Sequence, residues 1–410
     1  MDFTKRRQEL STKLSENSWL VLFAGEEVIR NADELYPFSV NHSFYYYSGI
    51  EQKNSILVLA KIHGVYEEKL FILPNDPLQA KWIGEFLSPD QAREISGINN
   101  VKLISEFITQ LEEALLYGGL RNIYLDLEHR RSDLYEKRNF RDVVRKNYPT
   151  LEIRNCFLDI ASQRCVKDAQ EIECIKKAIE ITGKALEAVR LTLKAGYYEY
   201  QIAALFEYNA KANGVKELAF NTIAAAGVNA TVLHYWANNC VLAEGAMLLL
   251  DLGVKFNHYA ADISRTYPVS GAFDERQRAI YQLVLNGQKM VMAKIQPGIT
   301  TGELNDLLKA YYVKELSNIG LITQPEQVEN YYWHGVSHGL GLDTHDIGIL
   351  KKQALVAGNV ITVEPGLYIS EWGIGVRIED NVLVTPSGYE NLSSAIAKEI
   401  NEIEGVFNVR

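Results

Sequence analysis

Four hundred and ten residues, 47% of them hydrophobic and 23% charged, make a globular chain too long for one hydrophobic core, so about two to three domains are expected. The 42 Lys and Arg against 52 Asp and Glu leave a formal charge of −10, which argues against nucleic acid or an anionic membrane as the partner, because both require a basic face. Apolar runs such as Ile56–Ala60 fall far short of the ~20 residues of a membrane span. The first residues carry Asp2, Lys5, Arg6, Arg7 and Glu9 where a signal peptide is apolar, and the four cysteines (156, 165, 174 and 240) lack C-x-x-C spacing, so a reduced, cytoplasmic chain without a cysteine metal site is expected.

Strands are predicted at Trp19–Ala24, Ile56–Ile62, Lys69–Leu73 and Asn122–Leu127, each rich in Val, Ile, Leu or aromatic residues. Polar, helix-like segments lie between them at Pro89–Ser96 and Ser105–Tyr117, the alternation of a small α/β domain. Near Asn155–Lys167 this pattern gives way to a long helix whose start carries the capping-box pair Asp168 and Glu171. The boundary is therefore set at residues 1–160 and 161–410. In the second part a helix at 169–192 ends before Gly196, another runs to about Gly214, and two strands follow within 247–268. The same order recurs with a helix at 275–295, a break at Pro297-Gly298, a helix from Thr301 to Gly320 capped by Thr300 and Glu303, and strands at 359–369 and 374–385. Two α-then-β-hairpin halves, an internal pseudo-twofold repeat, would put both hairpins in one central sheet with a cleft between them.

Each hairpin carries a pair of acids inside apolar strands. Asp251 ends Met247-Leu-Leu-Leu-Asp251, and Asp262 follows eleven residues later. A turn centred between Phe256 and Asn257 puts them directly opposite, with Cβ atoms about 5 Å apart. Like charges there need a cation between them or a proton on one; a buried pair between an aspartate and Arg265, or a slipped register, explains a single such pair equally well. The second hairpin repeats the pattern, however. With a turn between Glu371 and Trp372, Glu364 faces Glu379. Three of the eight histidines, His334, His338 and His345, fall within twelve residues of a Gly-rich segment just before this hairpin. His42, His63 and His129, by contrast, read as ordinary satisfied polar groups. Four carboxylates and an imidazole form a mostly hard ligand set suited to two divalent ions, Mn2+ first, with Co2+ or Zn2+ as alternatives. Two ions about 3.5–4 Å apart would generate hydroxide near neutral pH, and the chemistry so implied is hydrolysis.

The order Asp251, Asp262, His338, Glu364, Glu379 resembles the five-ligand dimetal signature of the pita-bread metallopeptidases, which include methionine aminopeptidase, prolidase and aminopeptidase P. His334-Gly-Val-Ser-His338-Gly-Leu-Gly-Leu-Asp343-Thr-His345-Asp346, Thr362-Val-Glu364-Pro-Gly-Leu-Tyr368 and Gly375-Val-Arg377-Ile-Glu379-Asp380 are similar to the aminopeptidase P and prolidase branch. Tyr36-Pro-Phe-Ser-Val-Asn41 and Phe44-Tyr-Tyr46, ending in Gly49, look like the aminopeptidase P N-terminal domain. The resemblance implies an α/β (α+β) architecture: a small creatinase-like N-terminal domain and a pita-bread catalytic domain.

Carried over by position, it implies that Asp251 chelates one metal, His338 and Glu364 the other, and that Asp262 and Glu379 bridge them. A metal-bridging hydroxide would attack the scissile carbonyl, with Glu364 shuttling its proton. His234 would handle substrate across from the metals, and His345 would stabilise the oxyanion. Arg377, on the same strand face as Glu379, would reach substrate. His334 and Tyr368 would line the pocket, and Trp82 would reach a neighbouring subunit's site in a homo-oligomer, a dimer or tetramer. The implied activity is release of the first residue from peptides with proline second; the alternative is a prolidase restricted to Xaa-Pro dipeptides. A non-catalytic binding protein or a creatinase on this fold is expected to lack the full ligand set, and a carboxylate-pair glycosidase leaves the histidines unexplained. Two positions depart from the aminopeptidase P pattern. Phe220 stands where a Tyr hydroxyl often supports a bridging carboxylate, and the short loop Ile347–Gly358 carries Lys351 and Lys352 in place of an Arg.

Overall fold

The apolar segments at Trp19 and Ile56 fold as neighbouring antiparallel strands, Ser18–Phe23 against Ile56–Ile62, with Leu20 opposite Leu59 and Leu22 opposite Leu57. The computed structural model describes residues 1–128, 135–348 and 350–405, in two units, Met1–Arg164 and Cys165–Arg410. His129 lies outside the described residues.

The first unit is built on a six-stranded mixed sheet. From one edge it runs Asn100–Leu103, Val65–Ile72, Ile56–Ile62, Ser18–Phe23, Asn122–Leu125 and Glu152–Asn155. Alternate residues of the central strands, Trp19, Val21 and Phe23 with Ile56 and Val58, pack with Phe71, Phe107 and Phe140 into one apolar cluster. The two edge strands have no counterpart among the predicted ones. Each is only four residues long and half polar (NVKL, EIRN), too short a run to stand out as a strand from its polar surroundings. Among the described residues, no helix is long and apolar enough to cross a membrane.

In the second unit the helices start where the capping boxes stand. Asp168 Oδ1 accepts from the Glu171 amide at 2.9 Å and Glu171 Oε2 from the Asp168 amide at 3.0 Å, opening the helix Ala169–Thr192. Thr300 and Glu303 open Thr301–Asn318 in the same way. Glu199–Ala212 and Glu275–Met292 complete the two helix pairs. Each half then supplies its hairpin.

The first hairpin differs from expectation in register. Asp251 pairs with Ser264, not Asp262, and the turn is centred on Asn257 and His258. Both turn residues have positive φ, 46° and 71°, the conformation that a two-residue turn with the twist of its strands requires. The slip is by two residues, so Asp262 stays on the face of Asp251.

The second hairpin has the expected register: Val363 faces Asp380 and Gly366 faces Arg377, so Glu364 and Glu379 stand opposite each other. They occupy a gap between two ladders. There the buried side chain of Gln288 donates from Nε2 to the carbonyls of Val363 (3.2 Å) and Ile378 (3.0 Å), the residues just before the two glutamates.

The hairpins do not form one sheet, contrary to expectation. They belong to separate ladders, joined where the Glu379 amide donates to the Ser264 carbonyl (3.0 Å) and where the Thr266 hydroxyl takes the Arg377 amide and donates to the Arg377 carbonyl, both at 3.2 Å. A hydroxyl standing between the strands at Thr266 interrupts the backbone ladder that a continuous sheet needs.

Candidate metal centre

Five side chains from the two hairpins and the Gly-rich segment before the second converge. Ligand atoms of Asp251, Asp262 and Glu379 lie within 4.8 Å of one another, as do those of His338, Glu364 and Glu379, and those of Asp262, His338 and His345. Glu379 is common to the first two groups and Asp262 to the first and third. Hydrogen bonds from neighbouring residues hold Asp262, His338 and Glu379 in place. Asn381 accepts from the Asp262 amide (3.1 Å) and donates to its carbonyl (2.6 Å). His338 exchanges bonds with Thr362 through its amide (3.1 Å) and its carbonyl (2.9 Å). Ser264 donates to Glu379 Oε2 at 2.8 Å.

The tautomer of His338 decides what the cluster can bind. Its Nδ1 lies 3.0 Å from the Gly339 carbonyl, which only accepts, so Nδ1 carries the proton. In the neutral imidazole Nε2 then turns its lone pair toward Asp262 Oδ2 and Glu364 Oε1, each at 3.4 Å, and Glu379 Oε1 at 4.0 Å. Lone pairs facing lone pairs at this distance need a cation or proton between them. Two buried carboxylate oxygens, Asp251 Oδ1 and Glu379 Oε1, accept no hydrogen bond within the protein, which is costly unless something else meets them. Burial first, then the carboxylates of Asp251 and Glu364, pushes Asp262 well above the usual carboxylate range. Burial with Asp262 and Glu364 does the same to Glu379, and burial raises Glu364 against the opposing pull of His338 and Arg377. An oxygen-rich, crowded, under-bonded cluster of this kind fits divalent metal.

Around the cluster, Arg377 is 3% exposed and lies against the first hairpin. Its Nη2 meets Asp251 Oδ2 at 2.6 Å, Nε donates to Ser264 Oγ at 2.8 Å, and Nη1 donates to Tyr368 Oη at 3.0 Å. Arg265, the alternative partner for a buried aspartate, pairs with Asp380 at 2.7 Å instead. His334 Nδ1 faces the Gly335 carbonyl at 2.8 Å, so its Nε2 accepts from Tyr368, also at 2.8 Å. Burial, then the Arg377 charge, lowers its pKa to about 3. His345 is exposed, with its ring centroid 4.3 Å from that of His338. Although the residue is exposed overall, its ring packs against His338 and is partly withdrawn from water; this desolvation, then the charges of His338 and His234, lowers its pKa to about 4, so it is neutral at pH 7. His234 is exposed and stacks on Trp236. Trp82, in the first unit, is 85% exposed. Ser264 and Asn381 escaped the sequence reading, although each stands two residues after a predicted ligand and so shares its strand face.

Residues 3–124 match the aminopeptidase P N-terminal domain, and residues 173–386, over half of the chain, match metallopeptidase family M24. The chain belongs to metallopeptidase family M24. It is 34% identical to a Xaa-Pro aminopeptidase of Haemophilus influenzae and 31% identical to one of Escherichia coli, each over 99% of this chain and 97% of the relative. Among solved structures, Escherichia coli aminopeptidase P with the inhibitor Pro-Leu is similar with a TM-score of 0.92 and 31% identity, covering 100% of this chain and 98% of that one. A provisionally assigned aminopeptidase P from Bacillus anthracis is similar with a TM-score of 0.97 and 42% identity, covering 99% and 98%. As an M24 member with these relatives the chain is a metallo-aminopeptidase, of the two-domain fold class expected, and the prolidase alternative is not favoured.

Proposed function

We propose that this M24 enzyme releases the first residue of peptides whose second residue is proline, at two divalent ions held by Asp251, Asp262, His338, Glu364 and Glu379. The observation that carries the reading is the His338 lone pair set among three carboxylates, 3.4 Å from two of them. The Xaa-Pro aminopeptidases among its relatives support the same bond here. A ligand set of four carboxylates and one imidazole suits Mn2+, with Co2+ and Zn2+ as alternatives. When bound, such a pair of ions polarises a carbonyl and acidifies a water.

The protein's own groups do the rest. Glu364 holds the proton in transit, because burial raises its affinity for one. His345, neutral at pH 7, offers an N–H to the developing oxyanion. His234 faces the substrate from the opposite side. Arg377 fixes Asp251 and, through Tyr368, His334, and Arg377, Tyr368 and His334 shape the pocket beside the ligands. Proline's imide nitrogen carries no hydrogen, so the pocket must accept the ring without requiring an N–H there. Trp82, exposed on its own chain, serves a neighbouring copy in a cytoplasmic homo-oligomer, a dimer or tetramer.

Product release from Xaa-Pro-Yaa, Xaa-Pro and Xaa-Ala-Yaa under one metal condition tests the reading. Cleavage of the first with little action on the alanine peptide is expected. Equal cleavage of the alanine peptide overturns proline specificity, and cleavage of the dipeptide alone overturns aminopeptidase action.

A further inference from the structure

Glu199 is the first residue of the helix Glu199–Ala212, and it is wholly buried. A carboxylate out of water needs its lone pairs met, and four neutral donors meet them here. Oε1 accepts from the Ala226 amide at 2.7 Å and from Asn229 Nδ2 at 3.0 Å. Oε2 accepts from Tyr235 Oη and from the Cys240 amide, both at 2.9 Å. Its place in the first helical turn suits a negative side chain as well.

The donors are spread through one loop. Ala226 ends the strand Ile223–Ala226, which pairs with the strand of Asp251; Cys240 lies at the far end of the loop and returns its carbonyl to the Glu199 amide at 2.9 Å. Asn229 and Tyr235 lie between, joined to each other at 3.0 Å. The loop thus closes around one carboxylate, and the residue just before Tyr235 is His234. We propose that Glu199 is a positioning residue: without touching substrate or metal, it sets where the His234 imidazole stands relative to the reacting atoms. This rests on the proposed role of His234 in handling substrate. The side chain is matched to the task. A glutamine has one acceptor oxygen and an amide that donates, so it sets N–H against either Ala226 and Asn229 or Tyr235 and Cys240, and frees one end of the loop. A displacement of about 1 Å at a reacting group costs on the order of 10²-fold in rate.

A double-mutant cycle tests this, with kcat, KM and bound metal measured for Glu199→Gln, His234→Ala and the double variant. Glu199→Gln alone is expected to lower kcat/KM by about 10- to 100-fold at wild-type metal content, and to change it less than about twofold when His234 is already alanine. In metal-free, 15N-histidine-labelled protein, the resonances that vanish in His234→Ala should move in Glu199→Gln. An equal loss in both backgrounds, or no loss in the first, overturns the proposal. Full turnover in His234→Ala overturns instead the role of His234 on which it rests. Should Glu199→Gln fail to fold, Tyr235→Phe removes one donor from the same cage and runs the same cycle, with the same two outcomes.

Discussion

Arg377 and Asp251 come from different hairpins and meet at 2.6 Å, with Arg377 3% exposed. Through this pair one guanidinium joins the two halves of the catalytic unit beside the carboxylate cluster. Its fork also takes Ser264 and Tyr368, and Ser264 in turn bonds Glu379. Asp251 is thus held from the second half and Glu379 from the first.

That geometry needs a planar fork and not merely a charge. Arg377→Lys should keep the fold and most of the bound metal, yet lower kcat/KM on the order of 10²-fold, because a lysine ammonium cannot reach Asp251, Ser264 and Tyr368 together. Steady-state kinetics with parallel elemental analysis checks this; unchanged kinetics would mean that a cation alone suffices.

Glu379→Ala removes the carboxylate common to two of the ligand groups. Bound metal should fall below the wild-type content. Added Mn2+ should raise the Tm of the wild type more than that of the variant, since a ligand stabilises in proportion to its binding. Full metal content in Glu379→Ala would remove it from the ligand set.

His345→Ala should retain metal while losing about 10²–10³-fold in turnover, the cost of one missing donor to a developing charge, and His234→Ala should retain metal while losing on the order of 10²-fold through poorer placement of substrate. Kinetics on Xaa-Pro-Yaa beside elemental analysis separates the two effects. Wild-type turnover in both variants would make these histidines structural.

Gln288 has no part in the chemistry, but it closes the gap at Glu364 and Glu379. Gln288→Leu leaves the Val363 and Ile378 carbonyls without this donor and takes an acceptor from Lys398. A cost of about 2–4 kcal/mol is expected for buried groups so stranded, read as a lower Tm of the metal-free enzyme and weaker metal binding in calorimetry. An unchanged Tm would mean that water replaces the amide without loss.

By itself the sequence determined the helix starts, because a capping box is a local exchange between residues three apart and Asp168–Glu171 and Thr300–Glu303 need no distant partner. It also determined the register of the second hairpin, where the turn near Glu371 is tight enough to fix the pairing of Glu364 with Glu379. In the first hairpin two turn centres satisfied the same alternation of side chains. The choice of Asn257 and His258, and so the pairing of Asp251 with Ser264, depended on backbone conformation that the apolar pattern does not encode. Only the tertiary structure decided that Arg377 turns to Asp251, that Gln288 spans the gap between ladders, that the hairpins stay in separate sheets, and that Glu199 gathers the His234 loop. Each of these is a contact between residues far apart in the chain, and the donor or acceptor it satisfies is left open by local sequence. It is settled when burial removes water from a polar group and the nearest complementary group in the folded chain takes water's place.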